Sequence, residues 1–89
     1  MEKLEELPLP ETVIQAKHKA ELARIWLADG HQVLTLSDRM WNDPGSWGVM
    51  LVDMARHVAT AYEQLGHDHQ AVLDRIRIAF DAEWNHPTD

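Results

Sequence analysis

ARIWLADGHQVLTL, residues 23–36, decides whether the first half of this chain is helix or sheet. One interpretation continues a helix to Asp29 and ends it at Gly30. The other folds the stretch into a β-hairpin around a two-residue Asp29-Gly30 turn. Asp-Gly suits a type I′ turn because both central residues need a positive φ, which these residue types tolerate best.

The register that a two-residue turn imposes favours the hairpin. One face of the sheet would be apolar, and it would collect Ala23, Ile25, Leu27, Leu34 and Leu36. The other face would be half polar, with Arg24 opposite Thr35 and Trp26 opposite Val33. A lone strand at 31–36 would leave its backbone groups without a partner in the chain. We therefore predict a hairpin over 23–36, with the helix at 21–28 as the alternative.

A helix from Pro44 to about Leu65 follows. Asp43 can accept a free N–H of the first turn, and Pro44 lacks an N–H that would be unpaired there. Apolar residues form one stripe at helical spacing, namely Trp47, Leu51, Met54, Val58, Ala61 and Leu65. Apolar residues on its flanks, Val52, Ala55, Ala59, Tyr62 and Met50, widen the apolar arc to roughly 200°. An arc this wide predicts that the helix packs against two elements, such as the hairpin and the last helix.

A second helix is predicted from about Asp68, as its cap, to Trp84, after a stop at Gly66. The expected class is therefore α+β, with an N-terminal β-hairpin packed on two C-terminal helices. A short helix within 11–20 is a further candidate. Residues 1–20 are interpreted as an acidic, proline-punctuated tail and residues 21–89 as a single hairpin-helix-helix domain.

The composition excludes several classes of partner. Eight Lys and Arg face fifteen Asp and Glu among 89 residues, which gives a formal net charge of −7. Such a chain lacks the basic face that nucleic acids or anionic membranes require. There is no cysteine for a disulfide or a thiolate–metal site. The acidic start, MEKLEELPLP, has no apolar secretory core, so we expect a cytoplasmic protein without a cofactor.

Asp53, Arg56 and His57 form the main polar candidate site. They lie within one helical turn, opposite the apolar arc, and Asp53 reaches the other two at i+3 and i+4. A carboxylate beside an imidazole can orient the ring for acid–base chemistry, and Arg56 could bind an anion. A solvated polar helix face accounts for the same pattern. No catalytic residue is assigned.

Two further pairs of residues are candidates, one for a metal site and one for a protein interface. His67 and His69 flank Asp68 in the spacing of metal ligands, but helix junctions use the same residue types as caps. No metal site is assigned to them. Trp26 and Val33 share the half-polar face of the predicted hairpin, where Trp26 would be exposed in a monomer, so they are the candidate interface residues.

The segments E-L-A-R-I-W, D-G, Q-V-L-T-L and D-P-G-S-W-G-V-M-L-V-D-M-A-R-H-V-A-T-A-Y occur in that order between Glu21 and Tyr62. This order resembles a family of short alphaproteobacterial proteins, the domain of unknown function 5076, most specifically over Trp47–His57. Residues 1–20 and 66–89 lie outside the resemblance. The resemblance implies no activity, but it suggests that the polar trio belongs to a shared pattern.

The sequence favours association over catalysis. A two-stranded sheet has two open edges and is marginally stable alone, so we expect a homodimer formed through the sheet edge. The alternative is a small-ligand or anion-binding protein, or a small enzyme, that uses Asp53, Arg56 and His57. The third interpretation is metal binding at His67 and His69.

Overall fold

The computed structural model describes residues 4–88. The elements follow the order α1 (Glu11–Gln15), β1 (Ala23–Ala28), β2 (His31–Leu36), α2 (Gly45–Gln64) and α3 (His69–Asn85). The predicted α+β class is confirmed, because a short helix and an antiparallel hairpin precede two long helices. The chain divides into a hairpin unit that ends at Met40 and a helical unit that begins at Trp41. That the hairpin packs on the helices, and that 21–89 form one domain, stay predictions.

The hairpin has the predicted register. Ala28 pairs with His31, Trp26 with Val33, and Ala23 with Leu36. The turn residues Asp29 and Gly30 have φ values of 51° and 78°. These are the positive angles of a type I′ turn, whose twist matches that of the flanking strands. The turn chemistry therefore sets the register, and the helical alternative for 21–28 is wrong.

The short helix lies before the hairpin, as expected, but it is shorter than the candidate range of residues 11–20. α1 ends at Gln15, and the Lys19 ammonium donates a 2.9 Å hydrogen bond to the carbonyl oxygen of Ile14 in its last turn. This satisfies one carbonyl that the end of the helix leaves unpaired. The basic residue thus acts at the helix end from outside the helix.

α2 begins and ends with recognisable capping interactions. The Asp43 carboxylate accepts a 2.9 Å hydrogen bond from the backbone N–H of Gly45. At the other end Gly66 has φ of 100°, and its N–H donates to the carbonyl of Glu63 while the N–H of His67 donates to that of Tyr62. These two bonds are those of a Schellman motif. The predicted bounds of this helix are confirmed to within one residue.

α3 packs on one flank of the apolar arc of α2. Asp68 caps α3, as predicted, by accepting a 2.9 Å hydrogen bond from the N–H of Ala71. Ala59 on α2 is fully buried, and Ala55 one turn earlier is half-buried. On α3 the half-buried apolar residues are Val72, Leu73 and Ile76. The helix–helix contact therefore uses small residues on α2 rather than the larger side chains of its main stripe.

Among residues 4–88 no helix is both long and apolar enough to cross a membrane.

Candidate functional site

The outer edge of β2 is the first candidate contact surface of the molecule. All six residues from His31 to Leu36 are exposed. Within residues 4–88 the sheet has two strands, so β2 pairs with β1 alone. The segment HQVLTL contains no Asp, Glu, Lys, Arg, Pro or Gly. Natural sheet edges are usually protected by charges, prolines or bulges, and this edge has none of these protections.

The direction of the unpaired groups on this edge follows from the hairpin ladder. The N–H of Ser37 donates a 2.8 Å bond to the carbonyl oxygen of Leu22. Because hydrogen-bonded pairs alternate along an antiparallel ladder, Val33 and Thr35 also direct their backbone groups toward β1. The backbone groups of Gln32, Leu34 and Leu36 therefore point away from it, toward a potential third strand.

Within the hairpin unit, the apolar face is exposed as well. Ile25, Leu34 and Leu36 are each more than half exposed, and Leu27 is 79% exposed. An exposed, contiguous set of large aliphatic side chains is typical of a surface that another element or another molecule covers.

The opposite face differs from the expectation for Trp26. Val33 is exposed, but Trp26 beside it is half-buried rather than exposed. The N-terminal segment reaches this face, since Glu6 lies 3.9 Å from the guanidinium of Arg24. Arg24 also donates a 2.7 Å hydrogen bond to Glu21; this bond, with the negative charge of Glu21, raises the pKa of the arginine above its ordinary value. Trp26 is thus less exposed than the pairing pattern of the strands predicts.

The polar trio lies together on α2 and faces solvent. The Nδ1 of His57 lies 2.8 Å from the backbone carbonyl oxygen of Asp53 and 3.8 Å from its carboxylate. A carbonyl oxygen only accepts, so this bond places the proton on Nδ1 and leaves Nε2 of the neutral ring as an acceptor. The His57 and Asp53 side chains are 79% and 69% exposed, and Arg56 is exposed too. The structure keeps these residues adjacent but does not enclose them.

His67 and His69 face different partners. The ring of His67 packs edge-on against Tyr62, with centroids 5.2 Å apart. The Nδ1 of His69 is shielded from solvent and forms no well-aligned hydrogen bond, although Glu63 Oε1 lies 3.4 Å away. Within the part of the chain that the structure describes, no three His, Cys, Asp or Glu side chains are grouped closely enough to hold a metal ion.

The exposure of two surfaces does not follow from the sequence. The main stripe of α2 is left open beside α3, with Leu51, Met54 and Val58 about two-fifths to one-half exposed and Leu65 78% exposed. An open depression of about 500 Å³ is lined by Lys17, His18, Lys19 and Ala20. The basic run was visible in the sequence, but nothing in its spacing signals a concave surface.

Comparison with known proteins extends the resemblance. A model of the family described as Domain of unknown function (DUF5076) matches residues 6–88. The expectation that 1–20 and 66–89 lie outside the resemblance is therefore wrong for residues 6–20 and 66–88. No curated protein matches the sequence.

One solved structure is similar over the whole chain. It is a protein provisionally named a pyruvate dehydrogenase, from the photosynthetic bacterium Rhodopseudomonas palustrus CGA009. The two chains are 34% identical, and the match covers 100% of this chain and 92% of the other, with a TM-score of 0.78. Together with the family match over 6–88, this shows that the chain belongs to the DUF5076 family.

Proposed function

We propose that the protein is a self-association module, which forms a homodimer by pairing the β2 edges of two copies. The observation that carries the proposal is the exposed, uncharged edge of His31–Leu36. A two-fold axis would place the two β2 strands side by side and antiparallel, in a four-stranded sheet. A chain without cysteine also fits the reducing conditions of the cytoplasm, where we place this function.

The energetics of a small sheet support the same proposal. A two-stranded hairpin is at best marginally stable in water, whereas three or more strands with an apolar face can be stable. Pairing at the β2 edge would join the apolar faces of the two hairpins. Leu34 and Leu36, which are both more than half exposed, would then acquire neighbours across the new strand pair.

An enzymatic function has less support. The solved relative is provisionally named a pyruvate dehydrogenase. Among residues 4–88 of this chain, however, no polar or charged residue is buried as a whole. Catalytic groups act most strongly when they are preorganised in sites that exclude water, and the carboxylate of Asp53 and the imidazole of His57 are largely exposed.

Proline substitution at the edge tests the proposal. The N–H of Gln32 points away from β1, so Gln32→Pro removes one edge donor and leaves the hairpin ladder paired. We expect this variant to weaken the dimer by at least about tenfold, since an interstrand hydrogen bond is lost and the proline ring blocks strand approach. Light scattering behind size-exclusion chromatography, over a concentration series, measures the mass.

Gln32→Ala is the matched control, because it removes the same side chain but retains the N–H. It should dimerise as the unmodified chain does. A double change of Trp26→Ala and Val33→Lys should also weaken assembly, but Trp26 is half-buried, so this pair perturbs the hairpin unit itself. A Gln32→Pro chain with unchanged mass would refute edge pairing.

A second candidate function rests on His57. The ring is exposed and oriented by the bond to the backbone carbonyl of Asp53, and in the neutral form its Nε2 is an acceptor. Such a nitrogen can bind a metal ion or a ligand proton, and Arg56 one residue earlier could contact an anion. NMR of the His57 ring during titration with small anions tests this candidate, and an unchanged spectrum would oppose it.

A further inference from the structure

We propose that the concave segment between α1 and β1 binds a small anion that carries more than one negative charge, such as a phosphate ester or a dicarboxylate. This segment, called the basic depression below, is lined by Lys17, His18, Lys19 and Ala20, and its volume is about 500 Å³. All four residues belong to the hairpin unit. The proposal concerns a surface apart from the β2 edge and does not depend on self-association.

The path of the chain brings three consecutive polar side chains to one concave surface. α1 ends at Gln15, and the chain bends at Lys17 and His18 before β1 begins at Ala23. In an extended segment successive side chains point in opposite directions, so three neighbours would not share one surface. The bend therefore explains why two ammonium groups and an imidazole line the same space.

The carboxylates of the hairpin unit leave the charge of this segment unpaired. Residues 12–20 contain no Asp or Glu. Among the described residues of the unit both arginines lie close to a carboxylate, with Arg24 2.7 Å from Glu21 and Arg39 3.8 Å from Asp38. Neither lysine of the basic depression has such a partner there. The positive charge that remains for an anion is therefore concentrated at the depression.

One of the two ammonium groups is already held in place. The Lys19 ammonium donates a 2.9 Å hydrogen bond to the backbone carbonyl oxygen of Ile14. An ammonium has three N–H donors, so two remain for a ligand, and a neutral carbonyl does not cancel the positive charge. Holding a long side chain in position before binding lowers the entropy that binding costs. Lys17 adds a second charge, and the His18 imidazole adds an N–H donor.

The donor set and the overall charge restrict the ligand to a small multivalent anion. Lysine ammonium groups bind phosphate and carboxylate oxygens as point charges, and two of them favour an anion with more than one negative charge. A nucleic acid instead requires an extended basic face. Here the basic run is short and the chain has a net charge of −7, which repels a long polyanion while the depression stays locally positive.

NMR titration of the isotope-labelled full chain with inorganic pyrophosphate tests the proposal, with the ionic strength held constant by sodium chloride. We expect saturable shifts of the backbone amide signals of residues 16–20 and of the His18 ring. Lys17→Gln should weaken binding by about threefold or more, since one exposed charge–charge contact is lost. Lys17→Arg retains the charge and should bind nearly as the unmodified chain does.

Arg39→Gln is the matched control, because it removes the same charge from the same unit at a position outside the depression. It should bind pyrophosphate as the unmodified chain does. Equal losses in Lys17→Gln and Arg39→Gln would indicate a general charge effect and would overturn the site. Shifts that spread over the whole chain without saturating, or no shift at millimolar pyrophosphate, would overturn it as well.

A parallel titration with succinate distinguishes the two kinds of anion. Tighter binding of pyrophosphate would assign the site to a phosphate ester, and tighter binding of succinate would assign it to a dicarboxylate. Both outcomes support the site, provided that the shifts stay within residues 16–20 and that Lys17→Gln weakens them.

A carboxylate placed in the depression gives an independent reading. Ala20→Glu should weaken pyrophosphate binding at least about tenfold, since it pairs with the lysines and repels the ligand. Ala28→Glu adds the same charge at an exposed position at the far end of β1 and should have a much smaller effect. If the two glutamates weaken binding equally, the depression is not the binding site.

Discussion

The hairpin of residues 23–36 and the helix pair of residues 45–85 are ordered by signals of different kinds. In the hairpin, two turn residues with φ of 51° and 78° set the register of every pair. In the helix pair, caps at Asp43, Asp68 and Gly66 set the ends, and one fully buried alanine joins the helices. Both regions carry well-defined local structure and exposed aliphatic side chains. In each region the secondary structure is therefore well defined, although many apolar side chains of that region are exposed.

We expect the largest loss of stability from a substitution in the helix–helix contact. Ala59→Leu inserts three carbons at a position with no exposed surface. Overpacking of this kind costs about 1–3 kcal/mol, and the loss should fall on the helical unit alone. Urea unfolding followed by far-UV circular dichroism measures it, while the NMR signals of the hairpin report that unit separately.

Ala61→Leu is the control for that change, since the same substitution falls on an exposed stripe position. It should be tolerated in the folded chain. Equal destabilisation by the two leucines would contradict the assignment of Ala59 as the contact centre.

A substitution in the turn should cause the next largest loss of stability, and the loss should fall on the hairpin. Gly30→Ala places a side chain at φ of 78°, where no neighbouring atom obstructs it but the backbone angle is unfavourable. The left-handed conformation costs a non-glycine residue about 1–2 kcal/mol. Amide hydrogen exchange in β1 and β2 should accelerate while α2 is unaffected.

Gly48→Ala should raise stability, in contrast to the losses expected for Ala59→Leu and Gly30→Ala. Gly48 lies inside α2, and an added Cβ meets no atom within 4 Å. Alanine should therefore stabilise the helix by about 0.5–1 kcal/mol. A loss of stability in thermal unfolding would show that this glycine has a role in packing that the structure does not reveal.

The cap of α3 should have a smaller effect. Asp68→Ala removes the acceptor for the N–H of Ala71, and loss of a cap typically costs about 1 kcal/mol. Asp68→Asn retains an acceptor oxygen and should recover most of the stability. If both variants unfold at the same urea concentration as the unmodified chain, the cap contributes nothing measurable.

The smallest effect is expected on the solvent face of α3. Arg77 donates to both carboxylate oxygens of Asp81 at 3.0 and 3.1 Å, but both residues are exposed. An exposed i,i+4 pair contributes about 0.3–0.5 kcal/mol. Arg77→Ala should therefore lower stability only slightly, and a loss comparable with that of Ala59→Leu would contradict the division between surface and contact.

The sequence predicted most of the local structure because local signals determine it. Asp29-Gly30 fixed the hairpin register, and Asp68 marked a helix start, since both act within four residues of chain. α1 was placed within 11–20, but its end at Gln15 depends on a hydrogen bond from Lys19 that spacing does not encode.

The candidate site was harder to predict from the sequence, because the exposure of a side chain depends on which other elements pack against it. The wide apolar arc of α2 predicts packing against two elements, such as the hairpin and the last helix, and α3 packs on its flank at Ala59. Periodicity identifies the apolar line on a helix but does not say which neighbour covers it. Trp26 was expected to be exposed for the same reason, and the N-terminal segment that approaches its face gave no pattern in the sequence.

The absence of charged side chains from the β2 edge determines how assembly should depend on ionic strength. The segment HQVLTL contains no Asp, Glu, Lys or Arg, so added salt weakens no side-chain ion pair along the proposed contact. What salt does change is the mutual repulsion of two copies that each carry −7. The Debye length falls from about 30 Å at 0.01 M to about 8 Å at 0.15 M. Assembly should thus strengthen as salt is added, opposite to an interface held by ion pairs.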